Sequence, residues 1–189
     1  AQRVLALLTA TVRAGRIDPD RVAANLSRSC ATITELADWL VRVGENGGYL
    51  AQTTSVPGVS QRTGATIYYL ELFPKRALPG DGRMPVLGLM PMPGDVDLVV
   101  ASELMEAGRA IQRGLVTPDR THLVASTHRV YSMTERIALG DGRVDADAIV
   151  RACEAAARKL TGFDMASLAA ANRSVISAAL LGAIAGARA

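Results

Sequence analysis

Apolar residues recur at helical spacing through the first quarter of the chain and at strand spacing after it. Val4, Leu5, Leu7, Leu8 and Val12 share one face of a helix that Gly15 ends. Asp18 caps a second helix with Pro19 at its first position, and Val22, Ala23 and Leu26 keep the period. Thr34 caps a third over 35–43, where Leu36, Trp39, Leu40 and Val43 form a stripe closed by Gly47 and Gly48. The period then shortens. Residues 49–54 and 65–73 read as strands, the second rich in β-branched and aromatic side chains. A polar loop lies between them, and a Pro- and Gly-rich connection, 74–85, follows. Short apolar runs at 85–90, 96–101 and 121–126 read as further strands. Ser102 caps a helix that begins at Glu103, with Glu106 placed to complete a capping box. Thr117, Pro118 and Asp119 make a turn. Residues 145–160 predict a helix striped by Ile149, Ala152, Cys153 and Ala156. Residues 165–187 predict a helical end broken near Asn172, with Ser174 as a cap.

Short apolar strands alternating with helices predict an α/β architecture, a parallel or mixed sheet covered on both faces. Gly-Asp-Gly-Arg occurs at 80–83 and again at 140–143 with unlike flanks, so it marks two turns and not a repeat. Composition then narrows the function classes. The net charge is +3 over 189 residues, and only Lys75 and Lys159 are lysines. Arginines are spread among acids and aromatics make up 4%, which argues against a nucleic-acid groove. Two cysteines, Cys30 and Cys153, and two histidines, His122 and His128, match no metal or cluster spacing. No run reaches the roughly 18 to 20 apolar residues of a membrane span, and no signal peptide opens the chain. The expectation is a soluble cytoplasmic protein with reduced thiols. A start at Ala1 and a stop at Ala189 suggest a domain cut from something longer.

The loop 53–64 is the strongest chemical candidate. Ser60, Gln61, Arg62, Thr63 and Gly64 lie between two strands, where an α/β protein often presents a ligand surface. Arg62 and Gln61 suit a carboxylate, a phosphate or a partner's backbone, and equally they suit a connection that satisfies its own backbone. Ser126, His128 and Arg129 follow a buried strand. A histidine there serves as a general base or, more often, as a structural hydrogen-bonding residue, and His122 carries the same choice. Asp95 and Asp97 read as solvated turn residues rather than a metal pair. Gly182 and Gly186, four apart on an apolar helix, fit tight internal packing or a subunit interface equally well.

Residues 53–71, Thr-Thr-Ser-Val-Pro-Gly-Val-Ser-Gln-Arg-Thr-Gly-Ala-Thr-Ile-Tyr-Tyr-Leu-Glu, resemble the gamma domain of 2-oxoacid:ferredoxin oxidoreductases, nearest the indolepyruvate oxidoreductase beta-subunit branch. Residues 94–104, 126–131 and 179–183 fit the same pattern in order. The resemblance runs from about Ala37 to Ala187. It implies a Rossmann-like three-layer sandwich with a mostly parallel sheet over 37–189. It also implies partner subunits that hold thiamine diphosphate and iron–sulfur clusters, with CoA as a further ligand, and no cofactor on this chain. A homodimer is compatible with it. One departure stands out. Family members open on a strand and a glycine-rich turn, but no glycine lies between Gly15 and Gly44 here. The helical segment 1–36 replaces or precedes that turn, which argues against a dinucleotide at this position. The alternative is a stand-alone small-anion-binding or scaffold domain that kept the fold without catalysis.

Overall fold

The computed structural model describes residues 33–56, 67–131, 135, 137 and 142–187. The helices expected at 4–12 and 19–26, Cys30, and the candidates Ser60, Gln61, Arg62, Thr63 and Gly64 lie outside the described residues.

Helix α1 (Ile33–Asn46) carries the expected stripe, with Leu36 and Leu40 buried and Trp39 and Val43 packed against the same cluster. Thr34 sits inside its first turn and not at its cap, and the Thr34 hydroxyl hydrogen-bonds to the Tyr68 hydroxyl. Gly48, at φ 87°, turns the chain into β1 (Tyr49–Val56), which pairs antiparallel with β2 (Ile67–Pro74). These strands form a sheet of their own instead of joining the parallel one. The physical reason is the connection between them, because a parallel pair needs a crossover of roughly a dozen residues or more. Gly44 lets α1 lie against this hairpin: a Cβ there would stand 2.7 Å from Leu72 Cδ2.

The second sheet is parallel, in the order β3 (Leu98–Ala101), β4 (His122–Ser126), β5 (Lys159–Phe163). Helices α2 (Leu104–Gln112) and α3 (Ala146–Ala156) connect its strands and cover one face. Helix α1 covers the other face together with α4 (Met165–Ala171) and α5 (Ile176–Gly186). Alternation along β4 divides the core. Val124 packs with Leu36, Leu40, Met165 and Leu180, while Leu123 and Ala125 pack with Leu104, Ala107, Ile149 and Cys153. Every residue of β4 is buried, as a central strand requires. The result is an α/β fold of Rossmann-like kind, with a three-stranded parallel sheet flanked by helices.

Several boundaries differ from expectation. Residues 85–90 form no strand. Pro85 and Pro91 lack the N–H that a ladder needs, and Val86 is 97% exposed. The segment is instead held by the hairpin: Gln52 Nε2 donates to Gly88 O at 2.9 Å, and Thr54 Oγ1 donates to Leu89 O at 2.7 Å. The helix expected over 145–160 stops at Ala156, and Leu160 belongs to β5, a strand whose Gly162 hides its period. The break near Asn172 is present, with Asn172 at the C-cap of α4. Ser174 caps nothing with its side chain; its N–H donates to Ala169 O at 2.8 Å and Val175 holds the cap position of α5. Among the described residues no single helix is long and apolar enough to cross a membrane.

Candidate functional site

The C-terminal ends of the parallel strands gather the chemistry in this fold, as open α/β sheets do. Ser102 leads out of β3, but the cap of α2 is Glu103, one residue later than expected. Its Oε1 accepts from Glu106 N at 2.8 Å and its Oε2 from Met105 N at 3.0 Å. The same carboxylate accepts from Val130 N at 3.4 Å, and Leu104 N donates to His128 O at 3.1 Å. These bonds tie the exit of β3 to the exit of β4. At the exit of β5, Asp164 caps α4, accepting from Ser167 N at 2.9 Å and Ser167 Oγ at 2.7 Å. The Ser167 N–H holds the Asp164 carboxyl below its ordinary range, with the Ser167 hydroxyl adding to it. Both helix N-termini are thus filled by carboxylates of the chain itself.

Ser126 and His128 come together between these caps. Ser126 is fully buried, and its Oγ lies 2.8 Å from His128 Nδ1 and accepts from Met165 N at 3.1 Å. An amide can only donate, and the Ser126 hydrogen has no other acceptor among the described groups. The hydroxyl therefore donates to Nδ1, which assigns the His128 proton to Nε2. His128 is half-buried. It can offer one fixed N–H donor, which the buried Ser126 hydroxyl positions.

Arg129 faces a different task. Its guanidinium pairs with the Glu135 carboxylate, donates to Val144 O at 3.1 Å, and lies 5.5 Å from the Tyr131 ring centroid. Glu135 also accepts from Val144 N at 3.1 Å. Side-chain exposures of 10% and 3% mark this as an internal clamp, so the structure commits Arg129 to its own loop. His122 lies at the opposite end of β4. Its Nε2 is 2.9 Å from Thr161 Oγ1, its Nδ1 lacks a described partner, and burial depresses its pKa, with Lys159 and Arg158 adding to the shift. Asp95 is exposed, as expected of a solvated residue, while Asp97 is half-buried. Both pair with Arg120, whose Nε donates to Asp97 Oδ1 at 2.8 Å, and together they fasten the entries of β3 and β4.

Glu103, Asp164, Arg120 and Glu135 are the members that the sequence reading passed over. Asp164 carried a signal in the serine three residues on, a capping spacing; Glu135 carried none, because its partner is fixed only by the folded loop. Ser60, Gln61, Arg62, Thr63 and Gly64 lie outside the described residues, though the register places their flanks, Val56 and Ile67, side by side. Among the described residues no group of three His, Cys, Asp or Glu side chains is placed to hold a metal. Burial raises the Cys153 thiol pKa, so its thiolate is disfavoured.

No family model matches the chain, and no solved structure matches it. A protein named argininosuccinate lyase 2, from Agrobacterium fabrum (strain C58), is 42% identical over 88 residues. That stretch is 47% of this chain and 16% of the lyase, so the match spans only a small part of that protein's length.

Proposed function

We propose that the chain is a gamma-type domain of a 2-oxoacid:ferredoxin oxidoreductase of the indolepyruvate kind, working in the cytoplasm beside catalytic subunits. The observation that carries this reading is the joining of two stretches of the resemblance at one edge of the sheet. Residues 94–104 supply β3 and Glu103, residues 126–131 supply the end of β4 and His128, and the bonds from Leu104 N and Val130 N lock them together. Residues 179–183 fall within α5, over the same sheet. In this reading thiamine diphosphate on a partner supplies the carbanion chemistry of decarboxylation, and clusters on a partner take the electrons. The two cysteines of this chain cannot provide the roughly four thiolates a cluster needs. The role of the domain is to pack on those subunits and shape the approach of substrate or CoA, with Ser60 to Gly64 and His128 Nε2–H as its polar contributions.

The test is reconstitution with thiamine- and cluster-bearing subunits, read as dye reduction driven by an aryl pyruvate. Omitting the domain abolishes assembly, and Arg62→Ala lowers the rate. Assembly and rate both intact in either case would refute the assignment. A second reading, a stand-alone domain that binds a small anion at Ser60 to Thr63, rests on the replaced glycine-rich turn. It predicts a thermal shift with CoA, nucleotides or aryl pyruvates in the absence of any other chain.

A further inference from the structure

Helix α5 has no charged residue from Ile176 to Gly186 and is apolar on every side. One side packs into the core through Leu180, Leu181 and Ile184. The other, with Ala179, Gly182, Ala183 and Gly186, floors an open groove of about 430 Å³ beside Thr161 and Phe163 of β5. A helix apolar all round is a helix that expects cover. Packing among the described residues does not explain the two glycines, since a Cβ on either would meet none of them within 4 Å. Phe163 and Leu168, at the rim, are 38% and 46% exposed. The strand along the groove is also incomplete. Among the described residues β5 pairs with β4 on one side and with no strand on the other, and an unpaired edge is a template for another strand.

The sequence of that edge decides what fits it. Residues 158–164 read Arg-Lys-Leu-Thr-Gly-Phe-Asp, cationic at the start and anionic at the end around a central threonine. We propose that a second copy of this chain covers the groove, its β5 pairing antiparallel with this one about Thr161. That register sets Arg158 opposite Asp164 of the second copy, Lys159 opposite Phe163, and Leu160 opposite Gly162, each twice by the two-fold axis. Arg158 and Asp164 are exposed at the two ends of the strand, where opposite charges across a ladder attract and like charges repel. Leu160 finds a glycine opposite and so avoids a clash. Pairing of β5 joins the two parallel sheets into one and brings Phe163 and Leu168 of both copies over the small-residue floor. A parallel partner strand gives none of these charge matches.

The inference stands apart from the oxidoreductase reading, since self-association and dye reduction are measured separately. Sedimentation velocity of the full chain from about 1 to about 100 µM reads a monomer–dimer equilibrium. Arg158→Glu, which sets two carboxylates opposite each other, weakens the dimer about tenfold or more, while Arg158→Lys keeps it. The Arg158 side chain is exposed, its backbone N–H donates to Thr121 O, and its charge acts on His122, so an unchanged melting temperature at about pH 8, where His122 is neutral in both states, checks that the fold persists. Thr161→Cys in a Cys30→Ser background forms an intermolecular disulfide under mild oxidation, because opposite Cα atoms of an antiparallel pair, roughly 4.5–5.5 Å apart, meet disulfide geometry. A chain monomeric at every concentration overturns the proposal, whether a different protein, an apolar small molecule or solvent occupies the groove. A dimer that ignores Arg158→Glu, or that is not linked in the Thr161→Cys variant, overturns this interface.

Discussion

Ser126 shows how much one hydroxyl can fix. It is fully buried, accepts the Met165 N–H at the start of α4, and sets the tautomer of His128 with its own hydrogen. Ser126→Ala leaves a buried amide without an acceptor, at a cost of about 1–3 kcal/mol in urea unfolding. It also frees the His128 ring, which nitrogen NMR reads as a mixture of tautomers in place of the single Nε2–H form. A fold that unfolds as before, with one tautomer retained, would show that the hydrogen-bond assignment is wrong. His122 makes the other argument at this scale. Its ordinary pKa of 6.5 is lowered in the folded chain by burial, then by Lys159 and Arg158. The unfolded state then binds the proton more readily than the folded one. Stability from this group is complete above about pH 6.5 and is lost as the pH falls toward the lowered value. The melting temperature should therefore drop between pH 7.5 and the acid side of that window. His122→Asn should flatten the drop, and an unchanged slope would remove His122 as its source.

Glycines in α1 and α5 argue at the scale of the element, because the same substitution should act in opposite directions in the two helices. Alanine in a helix interior is favoured over glycine by about 0.5–1 kcal/mol. At Gly182 none of the described residues lies within 4 Å of the added methyl, so Gly182→Ala should stabilise the chain by about that amount. At Gly44 the methyl would lie 2.7 Å from Leu72 Cδ2, between α1 and the hairpin, so Gly44→Ala should destabilise it despite the propensity gain. Paired denaturation curves settle both signs. The contrast also explains what was legible beforehand. Helix α1, the hairpin strands and β4 were readable because Leu36, Leu40, Tyr68 and Val124 keep a local period. Strand β5 was not, since Gly162 interrupts it and Leu160 happens to extend the stripe of α3. The apolar run 85–90 misled because apolar composition without ladder N–H groups cannot make a strand. Ser126 and His128 were visible as residues in a plausible place, but not as a pair with a fixed tautomer. That needs Met165, 39 positions away. Arg129 looked available for a ligand until Glu135 and Val144 closed around it.

At the scale of the whole molecule the two sheets differ in how they are held. Strand β4 is buried at every residue, flanked by β3 and β5 and covered by helices on both faces. The hairpin has two strands, with α1 packed against it, and its further ties to residues 88–89 are exposed. They are Gln52 to Gly88 O, Thr54 to Leu89 O, and Gly88 N to Glu71 Oε2 at 2.5 Å. Local opening follows the loss of few buried contacts and solvent-facing bonds, while a central strand opens only with the whole core. Hydrogen exchange should then divide the chain. Peptides from 122–126 should exchange only through global unfolding, and peptides from 49–55 and 67–74 faster by on the order of a hundredfold. Leu36 and Leu40 reach the main core while Gly44 packs on Leu72 of the hairpin, so α1 should show protection between that of β4 and that of the hairpin. Glu71→Gln, which weakens the bond to Gly88 N, should speed exchange in the hairpin and leave 122–126 unchanged. Equal protection in both sheets would mean that the hairpin is part of one cooperative unit, held through α1 as firmly as β4 is held by its neighbours.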